Sequence, residues 1–172
     1  MYQKTYKIKK SFLIALSAVV VLLFLLLLLS LFFKGSSVEK VVLAVIFISV
    51  LLVFLEFMSR KVLTEDQGIL IRKFLREKKL LWEDITQVGI VVMRKRVYIL
   101  LTTIKGFHIL TNAYEGFPDL LQGIASHVDK DKMDEEVWNL LEHPIEKISD
   151  TVSTWFAAAV LIIIIILKLT GY

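Results

Sequence analysis

The stretch Phe12–Phe33, FLIALSAVVVLLFLLLLLSLFF, constrains this chain more than any motif does. Only Ser17 and Ser30 interrupt its apolar run, and about 20 such residues span the hydrocarbon of a bilayer as one helix. Working outward, Val41–Met58, VVLAVIFISVLLVFLEFM, has only Ser49 and Glu56 as polar interruptions. Trp155–Leu167, WFAAAVLIIIIIL, has none. The first two runs are long enough to cross; the third is at the short end, so a full span and a half-inserted helix both remain open. Between the second and third runs, Ser59 to Asp150 alternates apolar and charged residues and is expected to face water. A mean hydropathy of +0.70 over 172 residues is too high for an ordinary soluble domain. The polar segment, about 90 residues, has material for one modest core.

Charge placement gives an orientation. Lys4, Lys7, Lys9 and Lys10 precede the first run, and Arg60 and Lys61 follow the second. The connector Lys34–Lys40 holds two lysines and Glu39. Positive residues stay on the cytoplasmic side. The amino terminus and polar segment are therefore expected there, with the connector and carboxy terminus outside. The first run is too long for a signal-peptide core and lacks a small-residue cleavage site, so a retained anchor is expected. Cysteine is absent, which removes disulfides, thiol nucleophiles and thiolate metal sites.

Within the polar segment the period becomes strand-like. Strands are expected over Arg60–Thr64, Ile69–Phe74, a short third ending at Leu81, Gln87–Met93, Val97–Thr102 and Phe107–Leu110. Glu65–Gly68, Arg94–Arg96 and Lys105–Gly106 read as turns. Pro118 suits the first turn of a helix, and Leu120, Leu121, Ile124 and Val128 recur at helical spacing to form a lid. Val137, Leu140 and Leu141 mark a further helix in an acidic stretch, which Pro144 should end.

The runs Gly68-Ile69-Leu70-Ile71-Arg72 and Leu81-Trp82-Glu83-Asp84-Ile85-Thr86-Gln87-Val88 resemble the bacterial pleckstrin-homology-like domains of membrane proteins. The resemblance covers about Ser59 to Val128. It implies a bent antiparallel β-barrel capped by a helix, with Trp82 and Ile85 as packing positions and Glu83 and Asp84 in a turn. It also implies a binding or scaffolding role in a bacterium. The expected whole is an α+β membrane protein: a transmembrane helical hairpin, a small antiparallel barrel of that kind with its capping helix, and a carboxy-terminal transmembrane helix. The expected divisions are a basic tail (1–10), the hairpin (11–58), the barrel domain (59–128), an acidic helical linker (129–150) and the last helix (151–172).

Candidate binding residues follow from charge. From Ser59 to Lys105 there are eleven Lys or Arg against five Asp or Glu; from Gly106 to Thr151, three against ten. Arg72, Lys73, Arg76, Lys78, Lys79, Arg94, Lys95 and Arg96 are the candidates for facing anionic lipid, each well-placed cation contributing about 1 kcal/mol. Solvated strand turns give the same pattern, and that reading stays open. Some pleckstrin-homology domains hold phosphoinositides through a basic-x-basic triplet near the first strands. Here Arg94-Lys95-Arg96 falls in a later turn, so that specificity is not expected. Glu56 either pairs with Arg60 at the interface or serves a partner helix within the membrane. Ser153 and Ala157, four apart, form a small-residue face for helix packing.

Catalytic and metal-binding patterns are missing. His108, His127 and His143 have no shared ligand spacing, and Asp129, Asp131 and Asp134 lack the glycine and final glutamate of a calcium loop. No cofactor is expected. Nucleic acid is not expected either, because the second half is acidic. The reading is a non-enzymatic scaffold or accessory subunit whose partners are the bilayer and a membrane protein or a second copy. Tyr98, Trp138 and the acidic helix are its candidate contacts. The alternatives are an anionic-lipid-binding module or a small subunit of a transporter or enzyme complex.

Overall fold

A computed structural model describes residues 4–32, 36–93, 96–143 and 149–170. In chain order its elements are β1 (Lys4–Lys7), α1 (Lys10–Phe32), α2 (Ser37–Ser59), β2 (Lys61–Glu65), β3 (Gly68–Lys73), β4 (Arg76–Leu81), β5 (Ile85–Met93), β6 (Arg96–Thr103), β7 (Gly106–Thr111), α3 (Phe117–Ala125), α4 (Glu135–Glu142) and α5 (Ser149–Thr170). They divide into a helical unit, Lys10–Met58 with Ile148–Tyr172, and a mixed unit, Met1–Lys9 with Ser59–Lys147.

In the helical unit, Lys10–Phe32, Ser37–Ser59 and Thr151–Thr170 are each long and apolar enough to cross a membrane. Lipid offers no hydrogen-bond partners, so each segment must satisfy its own backbone, and helices do so. The hydroxyls inside the runs behave likewise: Ser17 Oγ donates to the Ile14 carbonyl and Ser49 Oγ to that of Val45, each at 2.8 Å. Val19, Leu23 and Ala158 are buried together, with Leu22, Phe47, Val50 and Leu161 around them. The small Ala158 lets α5 approach α1 closely, whereas ring pairs separate α1 from α2: Phe12–Phe57 at 5.2 Å and Phe24–Phe47 at 5.6 Å.

At one end of this bundle the Lys168 ammonium donates to the Glu39 carboxylate, which also accepts from Ser30 Oγ at 3.4 Å. The last turns of α1 and α5 thus meet the first turn of α2. The third apolar run therefore lies parallel to α1 along the bundle. The start of α1 and the end of α2 meet at the opposite end, where Phe12 packs on Phe57.

In the mixed unit the strands form two antiparallel sheets, ordered β1-β2-β3-β4 and β5-β6-β7. The closed barrel expected from the sequence is absent. Among the described residues no ladder joins β4 to β5; a short 3-10 turn, Trp82–Asp84, carries the chain from one sheet to the other. Between the sheets' other ends there is one antiparallel bridge, Ile8 to Tyr114. Two backbone bonds flank it: Lys9 N–H to Ala113 O at 3.0 Å and Glu115 N–H to Lys7 O at 2.8 Å. The physical reason for the opening lies in β4. Arg76, Glu77, Lys78 and Lys79 are all exposed along it, and charges on an edge strand oppose further pairing.

Two other expectations change. The amino-terminal segment, read as a basic tail, forms β1 and pairs with β2 through Tyr6↔Val62 and Lys7↔Lys61. Tyr6 and Ile8 are buried, so its apolar residues belong to the core despite the lysines between them. The acidic stretch, read as a linker, also belongs to this unit. Met133 makes a parallel bridge to Val88, Asp134 N–H donates to Val88 O at 3.0 Å, and Val137 and Leu140 of α4 are buried. Pro144 lies outside the described residues.

Register fixes which side chains face inward. Val62↔Ile71 and Ile69↔Leu80 share the inner face of the first sheet; Val88↔Leu101 and Ile99↔Leu110 share that of the second. The α3 lid adds Phe117, Leu120, Leu121 and Ile124 to the core, as their helical spacing predicts. Val128 is buried just beyond that helix. Ile85 is fully buried, whereas Trp82 is half-buried and donates from Nε1 to the Glu65 carbonyl at 3.0 Å.

Gly68, at the start of β3, has no room for a side chain: a Cβ there would sit 2.0 Å from the Leu80 carbonyl oxygen. That neighbour is backbone and cannot swing aside. Gly68→Ala should destabilise the mixed unit by about 1–3 kcal/mol, in the range of other overpacked sites, read as a lower thermal midpoint of the detergent-solubilised protein.

Candidate functional site

The β3–β4 hairpin carries most of the cations selected from sequence, and its register sorts them. On the outer face, Arg72 pairs with Glu77 at 2.8 Å and Lys79 with Glu65 at 3.5 Å. Both pairs are exposed enough that each contributes at most about 1 kcal/mol, and Lys61 and Lys7 continue the same face beside Arg72. On the inner face, Lys78 lies opposite Ile71 and Arg76 opposite Lys73, beyond the last core side chains. Among the described residues no acidic side chain pairs with Lys73, Arg76 or Lys78. Arg96 opens β6 opposite Met93. Arg94 and Lys95 lie outside the described residues.

His108 on β7 shares the inner face of its sheet, opposite Leu101. Its Nε2 is buried without a hydrogen-bond partner among the described residues. Burial holds its pKa below the ordinary 6.5, and the nearby Lys78 and Lys73 lower it further. The two lysines and the imidazole thus face one another from the inner faces of the two sheets. The turn between β3 and β4 consists of Phe74 and Leu75, and that between β6 and β7 of Ile104 and Lys105. Leu75 and Ile104 are 85% and 82% exposed.

A second candidate is a polar cleft of about 390 Å³ lined by residues from β1, the β2–β3 turn and α3. Lys4 Nζ pairs with Asp119 at 2.8 Å at its rim. Tyr6 lies beneath, its phenol pKa raised by burial and by Asp119, with Lys4 and a bond to Thr64 opposing. His127 stacks on Trp82 at 4.7 Å. Its Nδ1 is 2.8 Å from the Gly123 carbonyl, which can only accept, so the proton sits on Nδ1. Ser126 Oγ donates to the same carbonyl at 2.9 Å. The imidazole therefore has no lone pair directed at Ser126, and this Ser-His neighbour pair is not a nucleophile and its base.

The other sequence candidates are dispersed. Among the described residues no group of three His, Cys, Asp or Glu side chains could hold a metal ion. Asp129 pairs with Lys132 at 3.3 Å, and Asp134 accepts from Gln87 Nε2 at 2.9 Å. Glu56 is half-buried in the last turn of α2. Ser153 and Ala157 are exposed, whereas Ala158, one position on, is the residue buried against α1. The Ser153/Ala157 face of α5 thus points away from that contact.

A third surface was not foreseen as such. The outer face of the β5-β6-β7 sheet places Val91 beside Tyr98 and Leu100 beside Ile109, with Phe107 and Met93 at its margins. Val91, Met93, Phe107 and Ile109 are exposed. The alternation that reveals a strand does not reveal which face a second layer will cover. Here both faces of the sheet are apolar. Trp138 on α4 is partly exposed, with Lys130 Nζ 5.9 Å from its ring centroid.

A scan against family models and searches of curated proteins and of solved structures find no match to the chain.

The environment of His108 has a measurable consequence. The unfolded chain takes up its proton near pH 6.5 and the folded chain only at lower pH, so protonation favours unfolding. The contribution of His108 should be constant above about pH 6.5, and stability should fall as pH drops below it. Lys78→Gln should raise the His108 pKa toward its ordinary value, which NMR titration of the imidazole would record.

Proposed function

We propose that this protein is a non-enzymatic scaffold or accessory subunit that presents its mixed unit to a protein partner at the cytoplasmic face of a bacterial inner membrane. The lysine-rich approach to α1 and the Arg60–Lys61 pair after α2 support that orientation. So does the bundle geometry. With α5 parallel to α1, the start of α1, the end of α2 and the start of α5 share one end of the helical unit, as three spans with a single cytoplasmic segment between the second and third require.

The observation that carries the reading is the uncovered outer face of β5-β6-β7. Isolated exposed apolar residues are ordinary on a protein surface, but a contiguous apolar sheet face marks an interface. Val91, Leu100 and Ile109 form its centre, with Tyr98 as the aromatic, and the Asp134 carboxylate bounds it over Gly89, beside Leu100. An apolar centre with an aromatic, bounded by a charge, suits a protein surface. The ordering of His127 and Ser126 supports a binding role for the unit over acyl transfer. The outward Ser153/Ala157 face of α5 supports a second contact, with a partner helix in the membrane.

A photoreactive amino acid at Ile109, in the full-length protein in cells, should yield one dominant protein adduct. Ile109→Lys should abolish co-purification of that partner in mild detergent while leaving the thermal midpoint within a few degrees. An unchanged yield of the partner would remove the sheet face from the proposal.

A further inference from the structure

We propose that the open edge of β4 is a docking site for an acidic, extended segment of a partner protein, which adds to the first sheet as a further strand. The site lies apart from the apolar face of β5-β6-β7 and does not depend on it.

Sheet order β1-β2-β3-β4 leaves β4 at an edge, with β3 on one side only. Backbone groups on an edge strand that do not bond the inner neighbour point outward and form a template for another chain. Among the described residues, none of those on Arg76–Leu81 finds a partner. The other sheet treats its edge differently. Beside β5, Met133 bridges to Val88 and Asp134 N–H bonds the Val88 carbonyl. That covering segment is acidic, with Asp129, Asp131 and Asp134 in it. The chain thus covers one edge with an acidic segment of its own and leaves the cationic edge open.

Charge selects what can pair there. On β4, Arg76, Lys78 and Lys79 stand against Glu77 alone, and all four are exposed. Such an edge opposes most strands, but opposite charges set across a ladder attract. A second copy is the wrong occupant. Fully overlapped antiparallel β4 strands would set Lys78 against Lys79, and like charges directly opposite destabilise a ladder. A strand carrying carboxylates meets no such penalty.

Alternate side chains of an added strand point to opposite faces of the sheet. On the inner side, Lys73, Arg76 and Lys78 have no acidic partner among the described residues. The buried Nε2 of His108, on which Lys78 and Lys73 act, has no hydrogen-bond partner there either. A buried polar atom left without a partner is costly. An inward carboxylate brings an acceptor and a negative charge to both lysines and the imidazole. Main-chain bonds along the edge then supply affinity, and carboxylates at the inward positions supply specificity.

A fluorescent peptide of sequence TEVEVET, titrated into the purified full-length protein in nonionic detergent, should bind saturably. Its glutamine counterpart should bind at least several-fold more weakly. A version N-methylated along one edge should lose binding, because it keeps the charge without the backbone donors. The double variant Arg76→Glu, Lys78→Glu should lose the acidic peptide and gain its lysine counterpart. Both positions are exposed, so the thermal midpoint should stay within a few degrees. The peptide should raise the His108 pKa, read by NMR, because a carboxylate offsets Lys78 and Lys73. Ile109→Lys should leave peptide binding unchanged, which separates this edge from the apolar sheet face. Absent binding, equal binding of the glutamine or N-methylated peptide, an unmoved His108 pKa, or loss of binding in Ile109→Lys overturns the proposal.

Discussion

Strand β1 pairs with β2 although the entire helical hairpin lies between them in sequence. The rest of the architecture depends on this ladder. Closing a long insertion between adjacent strands costs little extra entropy if the ends of the insertion already meet. An antiparallel pair of apolar helices provides that meeting, with Phe12 against Phe57 where they rejoin the sheet. Tyr6 and Ile8 then become core residues, and the two sheets are linked through the bridge to Tyr114. Without β1, the inner face of β2 would expose Val62, and the bridge to Tyr114 would be lost.

A second constraint is the charge on the β3–β4 hairpin. The same cations keep β4 from pairing onward, leave the assembly as two sheets, and supply an unneutralised inner-face cluster. The opening between the sheets and the electrostatic character of the hairpin end therefore have one cause. On the other sheet the balance is reversed: inner and outer faces are both apolar, and only the inner one is covered by core. The mixed unit thus presents two chemically different surfaces, one rich in cations and one mainly apolar.

How far the sequence was legible varies from element to element. Strands β2, β3, β5, β6 and β7 announced themselves by their strand-like period, β4 only as a short run ending at Leu81, and α3 by Leu120, Leu121 and Ile124 at helical spacing. Strand β1 did not, because Lys4, Lys7, Lys9 and Lys10 read as a topogenic basic cluster and hid the alternate burial of Tyr6 and Ile8. The acidic stretch hid its role similarly: its charges dominate composition, while Val137, Leu140 and one backbone bridge attach it to β5. The cations of the candidate site were visible, but their pairing was not. Glu77 and Glu65 neutralise Arg72 and Lys79 only because register sets them side by side.

By itself, the sequence determined three apolar runs, their helical form, and a strand-rich polar segment between the second and third. Run length and alternation are local properties, dictated by bilayer thickness and by the geometry of a single strand. Only the tertiary structure decided that the amino terminus joins the sheet, that the sheets stay open, and that α5 lies parallel to α1 with Lys168 on Glu39. Those outcomes turn on contacts between residues far apart in the chain. Register and charge pairing select among them, and neither can be read from one segment at a time.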